Sequence, residues 1–503
     1  MMFGLEELRY GFDVAADVVV VGSGPGGAVA ALNLARAGMK TVLLEAGPKV
    51  RPEDMSAGAP SFLARYYWEG GTRLIGGDAQ IPSLQGRCLG GSSVMNSAIM
   101  MRLPEFVKKA WIEEDGLSFL KDDSLEASYA RIFETCRVEP TPLAAQGRRN
   151  LLFRDAMASV GMPGAPLTRA VQHCEGSADC ILGCPSGRKQ SVDRTYVEDA
   201  MKAGAAVYTG AMVERILLEQ GRAVGVSGRV VDNQSKAGVA NFTVRAPRIV
   251  LAGGAAQTPA LLQFNGLTAA GTVGSSFFAH IGAGILGFFD EVVDPWVGAT
   301  QGWGAVSPDI EGLKFESLWA PPSLILLRWG GLGGAFYRDL ADIKHATVAG
   351  LVYRGKVKGT VRASSTGMPK MKLEVPAQEI ETVLRGVRQA VDGLFNIGAR
   401  GVHIGISRSK TRIDSRDEAH ALLEKKYKAR DIPMTANHIF GSVPMSMNRR
   451  RGSVDDRGKL RGIEGVWIAD ASLFPSPSAV NPQATVMALS DRVSRLLSDQ
   501  ALI

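Results

Sequence analysis

The chain has 503 residues, 46% of them hydrophobic and 21% charged, with 59 glycines and a formal net charge of +7. This length exceeds one simple core and leads us to expect two domains, in a soluble, turn-rich α/β protein. The densest basic runs, Arg449-Arg450-Arg451 and Lys425-Lys426, carry no interleaved aromatics; they read as solvated surface and argue against nucleic acid as a partner.

In chain order, Asp17-Val-Val-Val-Val-Gly22-Ser-Gly24-Pro-Gly26-Gly27 opens the pattern, running into an alanine-rich helix and then Thr41-Val-Leu-Leu-Glu45. This is a strand, a glycine turn, a helix and a second strand ending in an acid. Gly22 makes the turn, Gly24 admits a pyrophosphate, and Gly27 lets helix and strand pack closely. The diphosphate sits on the helix N-terminus, and Glu45 accepts from a ribose diol. An acid there disfavours a 2′-phosphate, hence NADP, but does not separate NAD from FAD. The residues before Asp17 lack the regions of a signal peptide, so the expected location is cytoplasmic, with export on a partner's signal left open.

Residues 51–85 read as irregular, with Tyr66, Tyr67 and Trp68 packing a long excursion. Gly86-Arg-Cys-Leu-Gly90-Gly91-Ser92-Ser93-Val-Met95-Asn96 reads as a loop entering a helix, a second place for backbone N–H groups to meet a cofactor. Helical periodicity covers 118–170, and a turn-rich stretch follows from Cys174 to Ser191. A helix is expected over 192–204, then strands at 206–219, 222–231 and 242–251. The last of these feeds a glycine turn, Ala252-Gly253-Gly254, and another helix. A sheet-rich block at 273–375 precedes a strong helix at 376–396. Within that block, Leu324 to Tyr337 is the longest apolar run. It is broken by Arg328 and several glycines and too short to span a membrane, so it reads as a buried strand and loop, with a greasy lid as the alternative. The chain closes with Gly465-Val-Trp-Ile-Ala-Asp470-Ala471-Ser472, then Asn481-Pro482-Gln-Ala-Thr485 opening a last helix to Ser498.

Taken together, these segments resemble the glucose–methanol–choline (GMC) family of FAD-dependent oxidoreductases over nearly the whole chain. The likeness rests on the fingerprint at 22–27, the block Leu89-Gly90-Gly91-Ser92-Ser93…Asn96 and the turn Gly253-Gly254…Thr258-Pro259. It continues through Val273-Gly274…His280, His438-Ile-Phe-Gly441 and Asp470-Ala-Ser472…Asn481-Pro482. It implies a discontinuous Rossmann-type FAD-binding domain (1–110, 170–272 and 436–503) and an antiparallel-sheet substrate-binding domain (111–169 and 273–435). It further implies that Gly90 to Asn96 runs beside the isoalloxazine and that the strand near Val213 supports the adenine. Asp470, Ala471, Asn481, Pro482 and Thr485 would hold the ribityl chain and pyrimidine ring. Met95 stands where some members carry a histidine bonded to the flavin, so the resemblance points to noncovalent FAD. Asn265-Gly266 replaces a frequent Ser-Gly, and Ser442-Val-Pro-Met445 replaces a common Thr-Cys-Arg-Met, a difference in the active-site wall.

Oxidising an alcohol through a flavin removes a proton from oxygen and a hydride from carbon, which calls for a base tuned near neutral pH, a role suited to histidine. The chain has six: His173, His280, His345, His403, His420 and His438. The resemblance assigns the base to His438 and the second active-site position to Asn481, whose amide binds the substrate oxygen without competing for its proton. His280 is expected to be structural, His403 structural or pocket-lining, and Glu316 is a candidate assisting acid. Trp303, Phe315, Trp319 and Trp329 suggest a partly apolar pocket, hence an aromatic, aliphatic or sterol-like alcohol, with O₂ or a redox partner as electron acceptor.

Five cysteines complete the inventory: Cys88, Cys136, Cys174, Cys180 and Cys184. The last three, spaced Cys-x5-Cys-x3-Cys on a tight loop, could ligate an iron–sulfur cluster. The resemblance includes dehydrogenases in which such a loop holds a three-iron cluster acting on sugars or polyols. It also includes long-chain alcohol oxidases and sterol-oxidising members without one, toward which Lys189-Gln190-Ser191 leans. Plain buried thiols, a zinc site sharing His173 and a disulfide are the alternatives. A flavoprotein with other chemistry, or with no turnover, is the remaining functional reading, because a fold does not dictate its function.

Overall fold

The computed structural model describes all residues except 57, 327–332, 408 and 500–503. A six-stranded parallel sheet forms the cofactor half, ordered Met2–Phe3, Ala206–Thr209, Thr41–Glu45, Val18–Val21, Ile249–Leu251 and Val466–Ile468. Its strands come from widely separated stretches of chain. The run Val18–Val21 is the signature of a central parallel strand, and its first three valines are fully buried. Helices Pro25–Arg36 and Gln483–Leu497 pack against each other beside this sheet. Asn33 Nδ2 joins them, donating to Asp491 Oδ1 at 2.8 Å and to Ser494 Oγ at 3.0 Å. A four-stranded sheet of Ala211–Glu219, Arg222–Val231, Gly238–Arg245 and Phe12–Ala15 flanks this half.

The second half is built on an antiparallel sheet ordered Gly401–His403, Ile281–Phe288, Ala346–Tyr353, Leu313–Ser317, Trp303–Val306 and Ala165–Pro166. Helix Ala377–Asn396 covers one face, burying Ile380, Val383, Leu384, Val387, Ala390, Val391 and Leu394. Those positions recur at helical spacing, which is why the helix was legible. Arg449, Arg450, Arg451, Lys425 and Lys426 are exposed, as expected. Among the described residues no helix is long and apolar enough to cross a membrane.

Three expectations need correction. Residues 51–85 are not irregular: they contain helix Ala59–Tyr66 and strands Leu74–Gly77 and Ile81–Pro82, stabilised by burial of Phe62, Leu63, Tyr66 and Tyr67. The 324–337 run is not a strand, because its described parts belong to helices Pro322–Leu326 and Gly333–Ala341. Within 118–170 the helical pattern covers two helices, Ser124–Thr135 and Gly147–Ser159, while short strands such as Glu139–Pro140 and Thr168–Arg169 pair between and after them.

Candidate active site

The glycine fingerprint is explained by close approach. A Cβ on Gly26 would lie 1.8 Å from Ala469 O, and one on Gly27 would lie 1.9 Å from Gly22 O. Gly22 has φ +100°, in the left-handed region where glycine carries no penalty. Gly24 is different, because a Cβ there would meet nothing within 4 Å. It faces open space at the start of helix Pro25–Arg36, whose first N–H groups lack intrahelical partners. Behind it, buried Glu45 accepts at Oε2 from Ser23 N (3.1 Å) and Ser23 Oγ (2.6 Å), and at Oε1 from Gly47 N (2.8 Å). Burial pushes its pKa up. A carboxylate has about four acceptor sites, so capacity is left for a ribose hydroxyl. The opening, the free N–H groups and the acid fit the diphosphate and ribose of a dinucleotide.

One cavity of about 400 Å³ extends from this cradle. Gly22, Gly24, Glu45, Gly91, Ser92 and Asn96 line it, and so do Val213, Gly253, Asp470, Ala471, Asn481 and Pro482, together with His438. The folded chain thus gathers residues spread over more than four hundred positions. Three expected cofactor residues stand behind the wall. Gly27 serves helix packing. Gly90, at φ +89°, sends its N–H to Ser23 Oγ at 3.0 Å. Thr485 is fully buried, its Oγ1 sharing a 2.9 Å bond with the Tyr129 hydroxyl. Asp470 is heavily engaged, accepting from Gly254 N at 2.8 Å, Thr258 Oγ1 at 2.6 Å and Ser472 N at 2.8 Å. It therefore clamps the second glycine turn to the strand Val466–Ile468, while burial pushes its pKa up.

At the far end, His438 is partly exposed to the cavity. Its Nδ1 lies 3.2 Å from Nδ1 of fully enclosed His280. One proton serves both atoms; with it on His438, the Nε2 lone pair is available as a base. Burial pulls His438 down to about 4, with the Glu316 carboxylate opposing and the Lys314 ammonium reinforcing the fall. His280 is also lowered well below the ordinary range, by burial and by the neighbouring His438. Both rings are therefore neutral near pH 7. Burial alone would raise Glu316, but the adjacent Lys314 charge and hydrogen bond outweigh it and hold the acid ionised. Glu316, flagged from the sequence, lies behind the cavity wall, joined to it by the bond from Gln301. Lys314 was missed, although charges at alternate positions of the buried strand Leu-Lys-Phe-Glu-Ser carried the signal.

His403 is buried in its strand with Nδ1 on Thr411 O and does not line the cavity. None of the described members of the expected aromatic set lines it. Phe315 and Trp319 are core residues, and Trp303 packs outside with Nε1 on Pro163 O at 2.9 Å; Trp329 lies outside the described residues. Aromatic lining comes instead from Tyr67, Trp68 and Phe264, with Met95, Leu318 and Ile439 among the aliphatic residues beside them.

The cysteine loop packs against the segment at 90–96. Lys189 Nζ donates to the carbonyls of Val94 (2.7 Å), Asn96 (2.7 Å) and Cys180 (2.6 Å). Arg169 donates from Nε to Ser97 O at 2.8 Å and from Nη2 to Cys180 Sγ at 3.2 Å. Burial would raise the Cys180 thiol, but Arg169 and Lys189 outweigh it and lower it. Cys184 Sγ accepts from Lys189 N at 3.4 Å, and all five cysteines are free. Among the described residues no three His, Cys, Asp or Glu side chains gather as a metal site. The cluster reading therefore finds no support among the described residues, and the Arg169 guanidinium reaches Cys180 Sγ.

A parallel sheet with a glycine cradle, opening on an enclosed histidine–asparagine end, defines a dinucleotide-binding oxidoreductase. Family models for the N- and C-terminal parts of GMC oxidoreductases match residues 16–282 and 354–490. The chain belongs to the GMC oxidoreductase family, and it is an FAD-dependent enzyme of the alcohol oxidase/dehydrogenase type. An uncharacterized GMC-type oxidoreductase of Mycobacterium tuberculosis is 34% identical over 94% of this chain and 74% of its own length. A long-chain-alcohol oxidase of Arabidopsis thaliana is 26% identical over 97% of this chain and 68% of its own. Pyridoxine 4-oxidase from Mesorbium loti has the same fold, with a TM-score of 0.70 and 17% identity over 96% of this chain and 99% of that one.

Proposed function

We propose that this enzyme oxidises an alcohol with an extended apolar part to the aldehyde or ketone, using His438 as the base, and passes the electrons to O₂. The cofactor half would comprise 1–110, 170–272 and 436–503, and the substrate half 111–169 and 273–435. The observation that carries the reading is a neutral histidine opening onto the same cavity as the glycine cradle. The apolar lining and the relatives named as long-chain-alcohol oxidases favour a greasy substrate. Met95, at the position some family members give to a flavin-linking histidine, favours noncovalent FAD.

FAD, held by the glycine turn at 22–27 and by Glu45, would supply the hydride acceptor. His438 takes the hydroxyl proton at Nε2 while His280 holds the ring through Nδ1. Asn481 binds the substrate oxygen, and Leu318 and Ile439 help exclude water.

Anaerobic mixing of the FAD-loaded enzyme with primary alcohols of increasing chain length tests this, reading loss of flavin absorbance. His438→Ala should keep its FAD and slow reduction by roughly 10² to 10⁴. Reduction of that variant at the wild-type rate would sink the assignment.

A further inference from the structure

A buried ion pair stands one hydrogen bond behind the reacting end of the cavity. Lys314 and Glu316 alternate on the strand Leu313–Ser317, so both leave the same face, with side chains only 5% and 4% exposed. Lys314 Nζ donates to Glu316 Oε1 and to Asn481 Oδ1. The other carboxylate oxygen, Oε2, accepts from Gln301 Nε2 at 2.6 Å. Gln301 and Asn481 both line the cavity, and the charged pair joins them from behind.

Stability gives little reason for such a pair. Replacing a buried ion pair with apolar residues of similar volume is often neutral or stabilising, because desolvation offsets the attraction. Its position supplies a better reason. An ammonium can only donate, so the Asn481 atom that Lys314 holds is the carbonyl oxygen. The amide's remaining function is then its N–H groups: one bonds the Glu316 carboxylate, leaving the second for the cavity that Asn481 lines.

We propose that Lys314 and Glu316 are positioning residues that lock the Asn481 amide with its oxygen turned inward and an N–H turned to the substrate oxygen. Asn481 is then a hydrogen-bond donor to the oxygen that loses its proton to His438, and strengthens its hold as negative charge grows there. Lys314 stays protonated throughout and touches no substrate. Glu316 anchors it and, through Gln301, ties it to the opposite wall. The identity of the reacting oxygen rests on the function proposed above; the locked orientation does not.

A double-variant cycle with Asn481→Ala tests the pair, because residues acting through one group are non-additive. Lys314→Met should slow anaerobic flavin reduction at saturating alcohol by roughly 10- to 100-fold, with FAD content unchanged. In the Asn481→Ala background the same change should alter the rate by less than about three-fold. A second arm needs no turnover: calorimetric binding of hexanamide, whose neutral carbonyl accepts from an amide N–H. Its affinity should fall about five- to ten-fold in Lys314→Met and no further in the double variant. If Lys314→Met misfolds around an unpaired Glu316, Lys314→Met with Glu316→Leu removes both charges and should show the same losses. Equal loss in both backgrounds, wild-type behaviour of the variants, or no hexanamide binding to wild type would overturn the proposal. A wild-type flavin that no alcohol reduces, with the binding pattern intact, would overturn the alcohol reading and leave the locked amide standing.

Discussion

Lowering the pH tests the charge state on which base catalysis by His438 depends. Burial holds the ring near 4, against an ordinary 6.5. Only the neutral ring accepts a proton, so the activity lies above the folded value and falls as pH drops through it. At about pH 5 a ring titrating near 4 is roughly 90% neutral, whereas an ordinary one is roughly 3% neutral, a contrast of about thirty-fold. Flavin and alcohol in the cavity displace more water from the ring and push in the same direction. The assay is anaerobic flavin reduction at low alcohol concentration, after a pH jump from neutral buffer that exposes the protein to acid only briefly. Its second-order rate constant reports the free enzyme. The expected profile is flat from about pH 8 to about pH 5, with an acid limb near pH 4. A limb near 6.5 would refute the reasoning, because it would mean that burial and the Lys314–Glu316 pair leave the ring unperturbed. The shift also affects the fold: between about pH 6.5 and about pH 4 the unfolded chain takes a proton that the folded ring refuses, so stability declines as pH falls through that window.

Gly26→Ala puts a carbon 1.8 Å from Ala469 O, and relieving that clash should cost about 1–3 kcal/mol or more; thermal unfolding and FAD content after gel filtration should both fall, and wild-type values in both would contradict the packing argument. Lys189→Met leaves the carbonyls of Val94, Asn96 and Cys180 without their shared donor, at about 1–3 kcal/mol for each one left unsatisfied. Weaker FAD retention, measured by dialysis and flavin fluorescence, is expected, and unchanged retention would show that the cysteine loop does not brace the segment at 90–96 for the cofactor.

Local pattern was enough to read much of this protein. The strand–turn–helix at 17–47 needs glycine for steric reasons that act within a few residues, and the helix at 377–396 shows its buried face by spacing alone. The ordered motifs pointed to the family for the same reason, since each is a short segment whose chemistry is local. The sequence did not disclose which side chains share a wall. Phe315 and Trp319 looked like substrate pocket and are core, because an apolar residue pays the same desolvation dividend in either place. Lys314 drew no notice in the sequence, and only the antiparallel sheet puts it against Asn481, 167 residues away. The cysteine spacing allowed a cluster, a metal or plain thiols; only tertiary packing reveals that Arg169 reaches Cys180 Sγ and that no metal-holding group gathers among the described residues. Sequence thus determined the strongly patterned elements and the glycine turn of the cradle, while 51–85 and the described parts of 324–337 took their form from tertiary packing. Tertiary structure alone decided the neighbours that set charge state and amide orientation, because electrostatics in a buried site depends on distance in space and not along the chain.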